Sequence, residues 1–291
     1  MDVIGTQDII DTSISGTKSD NGQPSPAARK GGGNIKARIT VIANQKGGVG
    51  KTTTAHALAT GLTYKGYKTL ALDTDPQGNL SYTMNADDNK PGVYELLKDE
   101  IIAPRAVQNT EQGAIICSSM MLSGADLEFT GNGREYLLSE ALEPFKTVYD
   151  FIVIDTPPTL GMLTINALVA ADDVIIPMGA DIFSLQGLSQ LYATIGQVKR
   201  RCNPGLDIAG VLITRYSGRA ILSGELRETI GVKARQIHMP LYKTVIREGI
   251  SVREAQTQQT SIFKTKIFFR SNAASDYLSF IEEYIGGAKN G

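Results

Sequence analysis

The sequence predicts a single α/β domain in which helices flank both faces of a mostly parallel, twisted sheet. From Arg38 onward, short β-branched runs alternate with longer segments of helical spacing, the pattern of strand–helix units in a parallel sheet. A glycine-rich turn ending in Gly50-Lys51-Thr52 stands between the first apolar run and the first helical segment. The chain has 291 residues, 42% of them hydrophobic and 20% charged, which suits one sizeable core.

Taken in order, residues 1–37 read as a flexible N-terminal tail, because Ser15 to Gly33 is rich in Ser, Gly, Pro, Asn and Lys and has little apolar surface to bury. A short helix around Asp8 to Ile14 would fold only against a partner. The domain then runs over 38–291. Its strands are expected at Ile39–Ala43, Thr69–Asp73, Ala114–Ser118, Phe151–Asp155, Asp173–Pro177 and Ile208–Thr214, where β-branched and aliphatic residues cluster between turn signals. Helices are expected at Thr52–Lys65, Arg134–Leu142, Gly161–Ala170 and Leu185–Arg201. A last one is expected at Ala273–Ile285, where Tyr277, Leu278, Ile281 and Ile285 recur at helical spacing.

Several classes are excluded by composition. The longest strongly apolar runs, such as Phe151–Ile154, are far too short to cross a bilayer, and the N-terminus is polar and acidic where a signal peptide would be basic and then apolar. A cytoplasmic protein with no membrane partner is therefore expected. Cys117 and Cys202 lie far apart and form no CxxC pattern, so they read as buried or half-buried thiols rather than a metal knuckle or disulfide. Between Lys199 and Arg270 stand 14 Lys and Arg against 5 Asp and Glu, a local net of +9 that leaves −10 for the rest of a chain totalling −1. Such an excess is either a solvated face or a polyanion-binding one.

The chemistry concentrates in Lys46-Gly47-Gly48-Val49-Gly50-Lys51-Thr52-Thr53. Glycines let consecutive backbone N–H groups turn onto phosphate oxygens, and the helix after them adds the positive end of its dipole. Lys51 then reaches the β and γ phosphates and the Thr52 hydroxyl binds Mg²⁺. The fold expected around such a turn is that of the P-loop nucleotide hydrolases, with ATP and Mg²⁺ as cofactors. Two acids lie downstream: Asp75 in Asp73-Thr74-Asp75-Pro76-Gln77-Gly78-Asn79, and Asp155 at the end of Phe151-Ile-Val-Ile. A carboxylate at the carboxyl edge of a strand can order the attacking water or hold the metal's water shell.

The lysine that opens the loop makes KGGVGKTT resemble the deviant Walker A family of ATPases that includes ParA, Soj and MinD, over Arg38 to about Ile285. The resemblance implies that Lys46 crosses a face-to-face, ATP-dependent homodimer to touch the partner's phosphates. It implies also that Asp75 orders the attacking water, with Asp73 in support, and that Asp155 meets Mg²⁺ through water. By the same likeness, Gln77 to Asn79 form a first switch and Thr156-Pro157-Pro158 a second, while Thr214, beside Arg215, contacts the adenine ring. Arg219, Arg247 and Arg253 are implied to bind double-stranded DNA without sequence preference, in segments similar to the family's basic ones, although Glu248 and Ser251 stand where arginines are usual. The function implied is partition of plasmid or chromosomal DNA with a ParB-like centromere-binding partner, on the nucleoid in the ATP state. A MinD-like spatial regulator needs a basic amphipathic C-terminal helix, and Glu282 and Glu283 oppose that. An ATP-dependent metabolic enzyme of related fold is the remaining alternative; the iron–sulfur branches lack their cysteines. His56 reads as an ordinary helix residue and His238 as a strand–loop residue.

Overall fold

The computed structural model describes residues 36–179, 182–217, 221–236, 239–264 and 271–288. The predicted tail, the helix around Asp8 to Ile14, Arg219 and His238 all lie outside the described residues.

Eight strands form one sheet: β1 (Arg38–Ile42), β2 (Thr69–Asp73), β3 (Val107–Thr110), β4 (Gly113–Ile116), β5 (Phe151–Asp155), β6 (Asp173–Gly179), β7 (Asp207–Tyr216) and β8 (Leu241–Arg247). Their order across the sheet is β3-β4-β2-β5-β1-β6-β7-β8. Every neighbouring pair is parallel except the β3–β4 hairpin. The six predicted strands are all present, within two residues of their expected ends. β3 and β8 are additional to that set. Both carry polar residues, as in Val-Gln-Asn-Thr and Leu-Tyr-Lys-Thr, because each lies at a sheet edge where one flank faces no further strand.

The helices are α1 (Lys51–Tyr64), α2 (Asn79–Thr83), α3 (Val93–Leu97), α4 (Ala125–Glu128), α5 (Leu137–Leu142), α6 (Met162–Ala170), α7 (Ile182–Arg201), α8 (Ile221–Gln236), α9 (Ile250–Thr257) and α10 (Asn272–Ala288). All five predicted helices are found; the short α2, α3 and α4, and α8 and α9 with their mixed polar spacing, are additions to them.

Alternation along each strand builds two cores. Ile39, Val41, Leu70, Leu72, Ile152, Ile154, Val174 and Ile176 face the layer of α5 to α8, whereas Ile42, Ala71, Val153, Ile175 and Leu212 face α1 and α10. Covering on both faces is what makes the central strands almost wholly apolar. α10 seals its side with Tyr277, Phe280, Ile281 and Tyr284, all buried. It is pinned at its far end by Glu283, which accepts the Lys243 and Thr244 N–H groups at 2.8 and 3.0 Å. His56 sits buried in α1, its Nε2 bonded to Gln112 Oε1 at 2.7 Å, and burial pulls its pKa down to about 4. Cys117 is buried and Cys202 half-buried, both free. No described helix is long and apolar enough to cross a membrane.

This topology places the carboxyl ends of β1, β2, β5, β6 and β7 side by side, with β1 flanked by two strands that come later in the chain. In an open α/β sheet that edge is where ligands bind.

Candidate functional site: the phosphate loop and its acids

Between β1 and α1 the chain folds back in a loop held from three directions. Asn44 donates Nδ2 to the Pro177 carbonyl at 2.7 Å and accepts the Lys46 N–H at 3.0 Å. From β7, the Thr214 hydroxyl donates to the Val49 carbonyl at 2.8 Å. The Arg215 guanidinium donates to the Gly48 carbonyl at 3.2 Å. Gly48 and Gly50 have φ of 72° and 83°, where a side chain is strained. Gly50 is the N-cap of α1 and supplies no side-chain cap, so the first-turn N–H groups remain for an anion.

Beneath the loop lies a group of buried charges. Lys51 is only 7% exposed and donates Nζ to the Lys46 carbonyl at 3.2 Å. Burial lowers its pKa, opposed by the nearby carboxylates of Asp155 and Asp75. Asp155 ends β5 with 0% exposure, and neither carboxylate oxygen has a hydrogen-bond partner. Burial first, then the adjacent Asp73, push its pKa well above the usual carboxylate range; the nearby Thr52 hydroxyl, which falls short of hydrogen-bond geometry, and Lys51 act in the other direction.

Asp73 has a different task. It accepts the Ser81 N–H and Ser81 hydroxyl, both at 2.8 Å, and the Asp75 N–H at 3.1 Å, so its charge folds the turn after β2. Burial raises its pKa to about 6. Asp75, two residues on, accepts the Gln77 N–H on Oδ1 at 3.0 Å. Its own carbonyl accepts the Ser118 hydroxyl. On the other side of Asp155, the Thr156 hydroxyl donates to the Ile42 carbonyl at 2.9 Å and ties the segment after β5 to β1.

These residues suit a magnesium nucleotide. Two buried carboxylate oxygens without partners and a threonine hydroxyl form a hard-oxygen donor set of the kind Mg²⁺ takes, and the glycine loop above them suits phosphate.

A cleft of about 860 Å³ opens outward from the loop. It brings together Gly47, Gly48, Gly50, Lys51, Thr52, Thr53, Asp75 and Thr214. Val49 contributes backbone alone, since its side chain is in the interior, and half-buried Lys46 stands beside the cleft rather than in its lining. Thr214 is buried with its hydroxyl committed to Val49, directly under Gly50.

Arg247 and Arg253 also border this cleft, close to the nucleotide loop. Arg247 forms a two-pronged pair with Asp276, Nε–Oδ2 at 2.9 Å and Nη2–Oδ1 at 2.7 Å, which raises its pKa, while Arg253 is exposed. Sequence reasoning misses Gln256, whose Nε2 donates to the Thr53 hydroxyl at 3.1 Å from 203 positions away. Nothing local in the sequence signals such a contact.

The fold and site define a P-loop ATPase that uses ATP and magnesium, with a second lysine at the start of its phosphate loop. Residues 37–208 match the family described as AAA domain. The chain is 39% identical to the sporulation initiation inhibitor protein Soj of Bacillus subtilis (strain 168), over 84% of this chain and 97% of Soj. It is 37% identical to the chromosome partitioning protein ParA of Myxococcus xanthus, over 84% of this chain and 87% of that protein. Among solved structures, cobyrinic acid a,c-diamide synthase from Mycobacterium smegmatis, with bound ATP analog and magnesium, matches at a TM-score of 0.74 and 32% identity, covering 84% and 93% of the two chains. The protein belongs to the Soj/ParA family of ATPases.

Proposed function

We propose that this ATPase partitions DNA. ATP binding joins two copies face to face, and the dimer holds double-stranded DNA without sequence preference. A ParB-like centromere-binding partner then stimulates hydrolysis and release, in the cytoplasm and on the nucleoid in the ATP state. The observation that carries the reading is the two-lysine loop: Lys51 is buried against Asp155, while Lys46, at the mouth of the same loop, stands beside the cleft lining. A cation placed there would meet phosphates presented by a second copy.

Within one site, Lys51 and the loop N–H groups hold the phosphates, and the Thr52 hydroxyl and Asp155 hold Mg²⁺, which neutralises the developing phosphate charge when bound. Asp75 positions the attacking water and Thr53 lies at the nucleotide's edge. Thr214 shapes the loop from below. For DNA, Arg219 and exposed Arg253 carry more of the contact than Arg247, whose charge is matched by Asp276.

The docked state of α10 supports DNA over a membrane as the target: its apolar side is taken up by the core, leaving no amphipathic face to insert. Filter binding to random duplex DNA with ATP, ADP or no nucleotide, across a salt series, tests the reading. Binding should require ATP, fall steeply with salt and ignore sequence. Asp75→Ala should bind ATP, fail to turn over and stay on DNA. ATP-independent binding, or none at low salt, removes the partition reading and favours a metabolic enzyme of this fold.

A further inference from the structure

The geometry points to a clasp across the nucleotide cleft, formed by Arg215 and Glu248, that sets how long a nucleotide stays bound. This rests on the nucleotide occupying the cleft above the phosphate loop.

Three observations meet at Arg215. First, β7 pairs with β8 as Ile213↔Val245 and next as Tyr216↔Arg247, so β7 holds one residue more than β8 over that interval. An extra residue of this kind is a bulge, which re-aims a side chain. Second, Arg215 has φ of 52°, a left-handed backbone in a residue that is not glycine. Such a conformation persists only where its surroundings hold it. Third, the redirected side chain spans the cleft: Nη1 donates to the Gly48 carbonyl at 3.2 Å and Nη2 approaches Glu248 Oε1 at 3.4 Å.

The two ends belong to opposite walls. Gly48 is in the phosphate loop, and Glu248 is in the turn between β8 and α9, which is anchored by its own N–H to the Tyr216 carbonyl at 3.2 Å. Gln256–Thr53 makes a second tie between the same walls, further along α9. Without Arg215 the outer wall is linked to the loop by Gln256 alone among the described polar contacts across the cleft. A guanidinium has five N–H donors in a plane, so these two contacts leave others for a ligand's oxygens. The side chain is 60% exposed, so it can swing aside as nucleotide passes. Arg215 is thus a positioning residue for exchange and takes no part in bond cleavage.

Stopped-flow release of a fluorescent N-methylanthraniloyl ADP from the full chain tests this. Arg215→Ala and Glu248→Gln should each speed release about two- to fivefold, the range of an exposed ion pair. The double variant should be no faster than the faster single one. Arg215→Gly separates clasp from scaffold: glycine relieves the left-handed strain, so its melting temperature should equal or exceed wild type while release is still faster. Wild-type release from both Arg215→Gly and Glu248→Gln would overturn the clasp even though the nucleotide binds. Failure of the unaltered chain to bind the labelled nucleotide would overturn the underlying placement and the clasp together.

Discussion

Replacing Asp155 with Asn should stabilise the protein while ending Mg²⁺-dependent hydrolysis. Asp155 is fully buried with two unpartnered oxygens, relieved only by the neighbouring Lys51 and Thr52. A buried polar group without its partner costs about 1–3 kcal/mol. The amide keeps the shape and some of that cost but removes the charge, while Lys51 loses one neighbouring carboxylate and keeps Asp75, so a net gain of about 1–2 kcal/mol is expected near pH 8. At about 2–4 °C per kcal/mol for a chain of this size, that is a rise of about 2–8 °C in melting temperature. The effect must depend on pH. The folded-state pKa of Asp155 lies above its ordinary value of 3.8, so the folded state binds the proton more tightly. Wild-type stability from this group is present below about pH 4 and is lost as pH rises through the folded pKa. The gap between variant and wild type should therefore be small near pH 5 and widest at pH 8. His56, with its lowered pKa, works in the opposite sense, but it is common to both proteins and cancels in the difference. Thermal melts in chelator without nucleotide, from pH 5 to 8.5, measure this. An Asn variant less stable than wild type at pH 8, or a gap that does not vary with pH, would refute the reasoning.

Lys46→Ala should bind ATP as a monomer and fail to dimerise; sedimentation that finds a normal ATP-dependent dimer contradicts a role for Lys46 in the partner's site. Gly61→Ala should destabilise the fold by about 1–3 kcal/mol through overpacking, since the added carbon would fall 2.2 Å from Ile281 Cδ1 and 2.9 Å from Phe263 Cε2. A melt unchanged from wild type would show that α10 yields more easily than its packing implies.

Much of the phosphate site was legible because its parts are contiguous. The glycine turn, Lys51 and Thr52 come directly after one strand, and Asp75 and Asp155 each come at or just past the end of another. The basic C-terminal region was legible as a count but not as a surface. Lys264 pairs with Glu111, Arg247 with Asp276 and Lys199 with Asp207, partners that composition cannot assign. Asp73 and Asp155 look alike in sequence, each closing an apolar strand. Yet one has three donors on its carboxylate and the other none, because only β2 leads into a turn that brings Ser81 back.

By itself, the amino-acid sequence determined the parallel sheet, the phosphate loop and the class of chemistry, since periodicity and turn glycines act over neighbouring residues. Only the tertiary structure decided which side chains share the cleft. Thr214 under Gly50, Gln256 on Thr53 and Arg215 on Gly48 join residues more than 160 positions apart. Those contacts arise where α9 and the ends of β7 and β8 come to rest, and that depends on packing and on a one-residue bulge rather than on any local propensity.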